Sequence, residues 1–360
     1  MGILHVILIA LIAMAVTSVA LVGTPAKIAV APAPETPAAG ESPATEEPQA
    51  AQQKPEPQTE AKAPVAVPEQ APHKDAEPAL SDAELNATAR GALVNVFCTT
   101  QSGGAQKPLS GSGIIIDSRG VVLTNAHIAQ YFLLRDYPRK GNIDCMLRTG
   151  SPAAPRYRAT LLYIPTAWVE ENAAQIDSQN AKGTGENDFA LLYITEATEG
   201  SLSNPFPTLT PKSGVPARGD RMLLVAYPAG FLSGETIAQN LYPTSAFGIV
   251  SKKYTFNDQA KTDLFSVGAS VVSQAGSSGG AAVRTDGTLA GIIATAILEG
   301  TTGEREVRAI TVAHINNSLA AAGKVSLTQL LSGDLAQKAE DFNDDAAPRL
   351  TQLLKDALKD

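Results

Sequence analysis

The segment Gln274-Ala-Gly-Ser-Ser278-Gly-Gly-Ala281 is a glycine-dense turn that carries a candidate nucleophile, Ser278. A serine hydroxyl attacks a carbonyl efficiently only when a neighbouring base takes its proton, and that base needs a carboxylate that fixes its tautomer. Glycine lets the backbone turn tightly, so the N–H groups of Gly276 and Ser278 can point at one developing oxyanion. The segment therefore predicts a nucleophile with its oxyanion hole, although the same composition alone is also typical of a flexible loop.

A candidate base and a candidate carboxylate lie upstream, in Thr124-Asn-Ala-His127 and in Asn187-Asp188-Phe-Ala-Leu-Leu192. His127 is the best placed of the four histidines. The other three lie in an apolar leader, in a proline-rich stretch and in a predicted helix: His5, His73 and His314. Asp188 alone would also fit a turn before a buried strand. The order His, Asp, Ser is that of chymotrypsin-type enzymes, and we therefore predict a triad of His127, Asp188 and Ser278.

The chain between residues 92 and 311 has the pattern of an all-β fold. Short runs of Val, Ile, Leu and Thr alternate there with clusters of Gly, Pro, Asn and Asp, which favours paired barrels or sandwiches. Two of these runs, joined by a turn at 117–120, are predicted to form a strand pair that ends at His127. We expect a helix at about 311–322. Residues 326–360 offer two amphipathic segments, 327–335 and 347–358, separated by the acidic stretch 340–345. Three alternatives stay open for them: packing on the barrel, association, or a frayed tail.

The motifs around the predicted triad resemble those of trypsin-like serine proteases of the HtrA (Deg) type. Besides the His, Asp and Ser motifs, the resemblance rests on 111–127, Tyr227-Pro-Ala-Gly230 and Gly248-Ile-Val-Ser251, and it spans roughly residues 88 to 320. It implies two perpendicular six-stranded antiparallel β-barrels, within a protease domain at 81–325, with the triad in the cleft between them. It makes His127 the general base, Asp188 the orienting carboxylate and Ser278 the nucleophile, and it assigns the oxyanion hole to the amides of Gly276 and Ser278.

The chain departs from the relatives of this family in two places. Digestive-type relatives carry an aspartate before the nucleophile, which pairs with a new N-terminal amine after activation cleavage, whereas this chain has Ser277 there. We therefore do not expect activation by that salt bridge. Enzymes of the HtrA type usually continue into a peptide-binding PDZ domain, and the roughly forty residues after position 320 are too few for one.

The resemblance also locates a candidate substrate pocket. It places Val272 at the base of the primary specificity pocket and the strand Gly291–Ala296, with Ala294 and Ala296, in its wall. An aliphatic base offers no counter-charge, and burying an unpaired Lys or Arg side chain would be unfavourable. We therefore predict small or medium aliphatic side chains before the scissile bond. A carboxylate reaching the pocket from Glu306 would overturn this prediction.

The first eighty residues differ in composition from the rest of the chain. The run from Ile3 to Val22 is almost entirely apolar, and about twenty such residues can span a bilayer. It lacks a basic start and exceeds the apolar core of a signal peptide, so we favour an uncleaved signal-anchor at 1–23, with a cleaved signal peptide as the alternative. Residues 24–80 are rich in Ala, Pro, Glu and Gln and are predicted to be a disordered tether.

The remaining composition narrows the classes of partner. In an exported protein, Cys98 and Cys145 could form a disulfide between neighbouring strands of the first barrel, and two inert buried thiols are the alternative. We predict no metal site and no cofactor, because zinc-ligand spacings and phosphate-binding or dinucleotide motifs do not occur. The net charge of −8 argues against nucleic acid.

These observations predict an endopeptidase held at a membrane outside the cytoplasm, periplasmic or extracellular, or a secreted form after signal cleavage. Its partners would be peptides or unfolded proteins. A homo-oligomer is an open alternative, because relatives of this type often form trimers. A catalytically idle, protease-like peptide-binding protein is the alternative function.

Overall fold

The computed structural model describes residues 79–100, 108–176, 185–202, 204–256, 261–294, 305–323 and 326–359. The predicted signal-anchor at 1–23 lies outside the described residues, and so does nearly all of the predicted linker. In the part of the chain that is described, no helix is both long enough and apolar enough to cross a bilayer. All described residues belong to one compact unit that extends from Ala71 to Asp360.

A short capped helix leads into the first β-structure. Helix α1 (Asp82–Ala92) begins at Ser81, whose hydroxyl accepts a hydrogen bond from the Glu84 N–H, while the Glu84 carboxylate accepts one from the Ser81 N–H. This reciprocal capping satisfies two amide groups that the first helical turn leaves unpaired. The helix buries Leu85 and Ala89 and passes directly into the first strand.

Six strands form a closed antiparallel barrel in the order β1-β2-β3-β6-β5-β4. Their bounds are β1 (Leu93–Thr100), β2 (Leu109–Asp117), β3 (Val121–Thr124), β4 (Ile143–Thr149), β5 (Ala154–Tyr163) and β6 (Ala190–Ala197). Short helices α2 (Ala126–Ala129) and α3 (Thr166–Asn172) follow β3 and β5. Alternate residues such as Val94, Val96 and Ile115 fill one core, which is the period-two burial of strands packed on one face. A disulfide joins Cys98 and Cys145, which are paired in the β1–β4 register.

The second sheet is open, so the prediction of a second closed six-stranded barrel is wrong for the described residues. Its seven strands run in the order β8-β7-β11-β12-β13-β10-β9. They are β7 (Arg221–Ala226), β8 (Thr244–Ile249), β9 (Lys252–Tyr254), β10 (Leu264–Ala269), β11 (Ala281–Arg284), β12 (Leu289–Ala294) and β13 (Glu306–Thr311), with helix α4 (Gly234–Gln239) between β7 and β8.

The short strand β9 follows β8 after only two residues, Val250 and Ser251. It pairs with β10 at one end of the sheet, whereas β8 pairs with β7 at the other end. The sheet curls so that β8 approaches β10. A Cβ on Gly248 of β8 would lie 2.9 Å from Cβ of Val267 in β10. The backbone N–H of Ser251 donates to the Ser266 carbonyl at 2.8 Å. The second unit is therefore a half-barrel whose two end strands, β8 and β9, are consecutive in the chain.

The two sheets share a hydrophobic core. Leu123 and Leu191 of the barrel lie in the same buried cluster as Leu223, Val225 and Ala281 of the open sheet. Helix α5 (Val312–Ala321) follows β13, close to the predicted bounds, and adds Ile315 and Leu319 to this cluster. Because the turn that carries Ser278 and the strand that leads to His127 lie in different sheets, this shared core fixes the distance between them.

The C-terminal segment forms three helices, and the predicted acidic spacer at 340–345 is wrong. The helices are α6 (Leu327–Leu330), α7 (Leu335–Asp345) and α8 (Ala347–Ala357). Asp334 caps α7, and the acidic residues lie within this helix because Ala339 and Phe342 supply its inner face. Phe342 packs against Tyr163, with ring centroids 6.2 Å apart, and Leu350 of α8 is fully buried. Of the alternatives left open above, packing on the barrel is the one observed.

Candidate active site

The pairing of β3 with β6 brings His127 and Asp188 together. Thr124 pairs with Ala190 in this register, so the residue three positions after Thr124 and the residue two positions before Ala190 leave the sheet side by side. Nδ1 of His127 lies 2.8 Å from Oδ2 of Asp188, and the His127 backbone N–H donates to Oδ1 at 3.0 Å. The amide of Asn125 donates to the Asp188 carbonyl at 2.7 Å. Both oxygens of the carboxylate are therefore committed to one histidine.

The carboxylate of Asp188 stabilises the protonated imidazole of His127 and also fixes the tautomer of the neutral ring. Burial lowers the pKa of His127, but the charge of Asp188 and its hydrogen bond raise it, and the net pKa lies above the ordinary value. Because the carboxylate accepts the hydrogen bond, Nδ1 carries the proton and Nε2 is the basic nitrogen of the neutral ring. A histidine held in this way can accept a proton from a hydroxyl.

Ser278 lies in the turn between β10 and β11, and its glycines are required for steric reasons. Gly276 has φ of +89° and Gly279 has φ of +85°. A Cβ on Gly276 would lie 2.7 Å from the Tyr227 carbonyl oxygen, and one on Gly279 would lie 2.1 Å from the Ser112 carbonyl oxygen. No side chain fits at either position without moving backbone atoms. Ser278 itself is buried in the described structure, with 3% of its surface exposed.

Hydrogen bonds to neighbouring carbonyls orient the two amides of the predicted oxyanion hole. The Ala275 carbonyl accepts a 2.7 Å hydrogen bond from the Ala229 N–H, and the Ser277 carbonyl accepts one of 2.9 Å from the Gly280 N–H. In a trans peptide the N–H points opposite to the carbonyl of the same unit. The N–H groups of Gly276 and Ser278 are therefore directed away from these partners, as an oxyanion hole requires.

The nucleophile turn is connected to the strand pair that ends at His127. The Ser112 N–H donates to the Ser278 carbonyl at 2.8 Å, and the Ser112 carbonyl accepts a 2.6 Å hydrogen bond from the hydroxyl of Thr124. Two hydrogen bonds thus link the backbone of Ser278, through Ser112, to β3, the strand that leads to His127. Sequence reasoning did not single out Ser112 or Ala229, although both lie within motifs that carried the resemblance.

The residues predicted to line a specificity pocket are placed only in part. Val272 is fully buried and packs in the core of the second sheet, together with Phe265 and Ala309. Ala294 ends β12 and is 3% exposed. Ala296 lies outside the described residues. Val272 therefore lies among uncharged, buried side chains of the second sheet.

Glu306 lies on the opposite face of β13 from the residues that pack with Val272. Burial alone would raise the pKa of Glu306, but hydrogen bonds from Tyr254, Ser266, Arg308 and Lys252 lower it to about 2. The Tyr254 hydroxyl donates to its carboxylate at 2.7 Å, and Arg308 Nε donates at 3.0 Å. Val307 and Ala309, which alternate with Glu306 and Arg308 along the strand, share the core with Val272. The Glu306 charge is thus held by its own cationic neighbours.

A second histidine–aspartate pair consists of residues outside the predicted triad. Nδ1 of His314 is 2.9 Å from Asp263, and both side chains are buried. Within the described residues, no group of three or more His, Cys, Asp and Glu side chains could hold a metal ion.

The sequence profile of the trypsin-like peptidase domain matches residues 111–292, which is half of the chain and includes His127, Asp188 and Ser278. The chain belongs to this family. The match confirms the resemblance to trypsin-like peptidases that the motifs carried. The match does not include α1, α5 or the three C-terminal helices.

Several solved structures are similar to this trypsin-like peptidase. A serine endoprotease from Yersinia pestis is 22% identical over 68% of this chain and 68% of its own, with a TM-score of 0.43. The Rv3671c protease from M. tuberculosis in its active form is 19% identical over 72% of this chain and 96% of its own, with a TM-score of 0.41. The inactive form of that protease gives 18% identity over 69% and 96%, with a TM-score of 0.41. No curated protein matches the chain.

Proposed function

We propose that this trypsin-like peptidase domain is a serine endopeptidase that hydrolyses peptide bonds through an acyl-enzyme. Ser278 attacks the carbonyl while Nε2 of His127 takes its proton, and His127 then gives that proton to the leaving amine. Water, deprotonated by His127, releases the acyl group. Asp188 holds the imidazole, and the amides of Gly276 and Ser278 bind the oxyanion. The observation that carries the proposal is the 2.8 Å contact between His127 Nδ1 and Asp188 Oδ2.

The proposed substrates are unfolded or exported proteins, cleaved after small aliphatic residues. The buried aliphatic surroundings of Val272 support this preference, and so does the pairing of Glu306 with cations on the other face of its strand. Cleavage of a peptide library should show Val or Ala before the scissile bond. Dominance of Lys or Arg at that position would refute the proposed pocket.

We also propose that the enzyme works outside the cytoplasm, tethered at the membrane by residues 1–23, or secreted if that segment is cleaved. The disulfide between Cys98 and Cys145 supports this location, because such bonds persist in oxidising compartments and are rare in the cytosol. The proposal also includes assembly into a homo-oligomer. Sedimentation of the purified chain would measure its oligomeric state.

The Ser278→Ala variant tests the catalytic proposal. On the precedent of subtilisin, loss of the nucleophile should lower turnover by roughly 10⁶-fold and leave peptide binding in place. We expect wild type to degrade unfolded casein and to react with a fluorophosphonate probe, and Ser278→Ala to do neither. The control is Ser266→Ala, which removes another fully buried serine hydroxyl.

Two results would contradict the catalytic proposal. If Ser278→Ala digested casein at the wild-type rate, Ser278 would not be the nucleophile. A wild-type protein that binds peptides but resists the probe would favour the idle peptide-binding alternative, since the probe labels only an activated serine.

A further inference from the structure

Ser112 of β2 is a fully buried serine that makes four hydrogen bonds around the predicted active site. Its hydroxyl donates to the Gly276 carbonyl at 2.8 Å and accepts from the Tyr227 N–H at 2.9 Å. Its N–H donates to the Ser278 carbonyl at 2.8 Å, and its carbonyl accepts from the Thr124 hydroxyl at 2.6 Å. One residue of the barrel thus contacts the nucleophile turn, the end of β7 and the strand that leads to His127.

We propose that Ser112 is a positioning residue that holds the oxyanion turn in its catalytic conformation and sets its distance from His127. The inference rests on the proposed peptidase function and adds to it a residue that acts through others, without touching substrate. Its side chain fixes the Gly276–Ser277 peptide, and its backbone fixes the carbonyl of Ser278.

The hydroxyl of Ser112 completes a set of bonds that holds successive carbonyls of the turn. The Ala275 carbonyl is held by Ala229, and the Ser277 carbonyl by Gly280. The Gly276 carbonyl lies between them, and its bond comes from the Ser112 side chain. If the Gly276–Ser277 peptide plane rotated, the backbone dihedral angles of Gly276 and Ser277 would change. The N–H groups of Gly276 and Ser278, which lie in the two adjacent peptide planes, would then no longer point at a common oxyanion.

Both functions of the hydroxyl are used, so a smaller or apolar side chain cannot replace it. A hydroxyl can donate one hydrogen bond and accept others, and here it does both with buried backbone groups. An alanine at this position would leave the Tyr227 N–H and the Gly276 carbonyl without this partner in a dry environment, where an unpaired polar group is costly. Tyr227 is buried too, so water has little access to replace the bond.

The experiment compares Ser112→Ala, Ser112→Thr and Ser266→Ala in the full chain. Ser266 is the matched control, since it is equally buried and its hydroxyl also accepts from a backbone N–H, that of Gly268 at 3.1 Å. We expect Ser112→Ala to lower the rate constant of fluorophosphonate labelling and kcat by roughly 10- to 100-fold, less than the 10²–10³ caused by removal of an oxyanion donor itself. KM should stay within about twofold, because Ser112 does not touch the substrate.

A second readout does not depend on activity. Hydrogen exchange of backbone amides in residues 272–281 should become about tenfold faster or more in Ser112→Ala and should stay unchanged in Ser266→Ala. If both variants lower the unfolding temperature alike while only Ser112→Ala changes labelling and exchange, a merely structural role is excluded. Should Ser112→Ala not fold, Ser112→Thr keeps the hydroxyl and should label within about threefold of wild type.

The outcomes separate this inference from the proposed function. If Ser112→Ala labelled and exchanged at the wild-type rates, the positioning role would be wrong and the proposed peptidase function would be unaffected. The same would follow if Ser112→Thr folded but labelled roughly 10- to 100-fold more slowly than wild type, the range expected for Ser112→Ala. A wild-type protein that neither labels nor cleaves would refute the peptidase, whereas the exchange comparison would still decide whether Ser112 holds the turn.

Discussion

The hydroxyl of Ser318 in α5 donates a hydrogen bond to the side-chain oxygen of Asn187, the residue directly before Asp188. Asn187 has φ of 57°, and it is the one residue other than glycine with a positive φ in the described part of the chain. Asparagine tolerates this left-handed conformation better than most residues. Helix α5, which lies outside the family match, therefore supports the turn that presents the predicted catalytic carboxylate.

Substitutions at this contact should separate the lost hydrogen bond from backbone strain. Asn187→Gly removes the side chain but suits the left-handed backbone, whereas Asn187→Ala also adds strain of about 1–2 kcal/mol. We expect Ser318→Ala and Asn187→Gly to lower kcat by a similar factor of about three to ten, because each variant loses the same hydrogen bond. Asn187→Ala should lose more kcat and unfold more easily in urea. Equal effects of Gly and Ala at this position would contradict strain in the turn.

The rate should depend on pH through His127. Its pKa is raised above 6.5, and the general base must be neutral, so kcat/KM should rise as pH increases through that raised pKa. Asp188→Asn removes both influences that raise the pKa and leaves the burial that lowers it. The acidic limb should then move to lower pH, while the plateau falls by about 10⁴-fold, as in the chymotrypsin-type precedent.

A pH profile of kcat/KM for each variant measures this shift. Asp263→Asn is the matched control, because it alters the other buried histidine–aspartate pair, that of His314. It should change stability and leave the acidic limb in place. An acidic limb that stays at the wild-type pH in Asp188→Asn would show that another group controls the rate.

The sequence predicted those parts of the fold and site that depend on local pattern. Strand alternation and the turn at 117–120 led to the pair β2–β3, and the paired motifs led to the contact of His127 with Asp188. The topology of the second sheet was not predictable, because the change of partner from β7 to β10 between β8 and β9 is a tertiary contact. Periodicity shows that a segment is a strand but not which strands it pairs with.

Two other misses have physical causes in single residues. The charged residues of 340–345 predicted a spacer, since Phe342 is the one large apolar residue among them. Its role in the helix depends on a tertiary contact with Tyr163. Ser112 lies in a glycine-flanked strand, and its importance depends on buried partners that are more than a hundred residues away in sequence. Tertiary contacts of this kind leave no local signal in the chain.

Gly276 and Gly268 form a matched pair that separates crowding from backbone strain. Both have a positive φ, +89° and +76°, but a Cβ on Gly276 would lie 2.7 Å from the Tyr227 carbonyl oxygen, whereas one on Gly268 would meet nothing within 4 Å. Gly268→Ala should cost only the strain, about 1–2 kcal/mol of unfolding free energy, and keep its activity. Gly276→Ala should destabilise further and lower the labelling rate constant by at least about 10²-fold, because the oxyanion amide must move.

Urea denaturation and fluorophosphonate labelling of the two variants measure both effects. The expected order of labelling is wild type, then Gly268→Ala close behind, then Gly276→Ala far below. If Gly276→Ala labelled as fast as Gly268→Ala, the N–H of Gly276 would not be part of the oxyanion hole.

Glu306 should contribute stability that is lost in acid. Its pKa is about 2 in the folded protein against an ordinary value of 4.5, so its carboxylate stabilises the fold fully above pH 4.5 and loses this effect as pH falls towards 2. Glu306→Gln should therefore unfold at lower urea concentration than wild type at pH 7, and the difference should shrink between pH 4.5 and 2. Asp356→Asn is the control, because the pair of Asp356 with Lys359 is solvent-exposed and should contribute little.

The same variant examines the specificity pocket from the opposite side. Because Glu306 is bound by Tyr254 and Arg308 on the face of β13 that points away from Val272, Glu306→Gln should leave the preference for aliphatic residues before the scissile bond unchanged. Peptide-library cleavage at pH 7 measures this preference. A wild-type preference for Lys that disappears in Glu306→Gln would mean that the carboxylate leaves Arg308 to reach the substrate, and the aliphatic pocket would then be wrong.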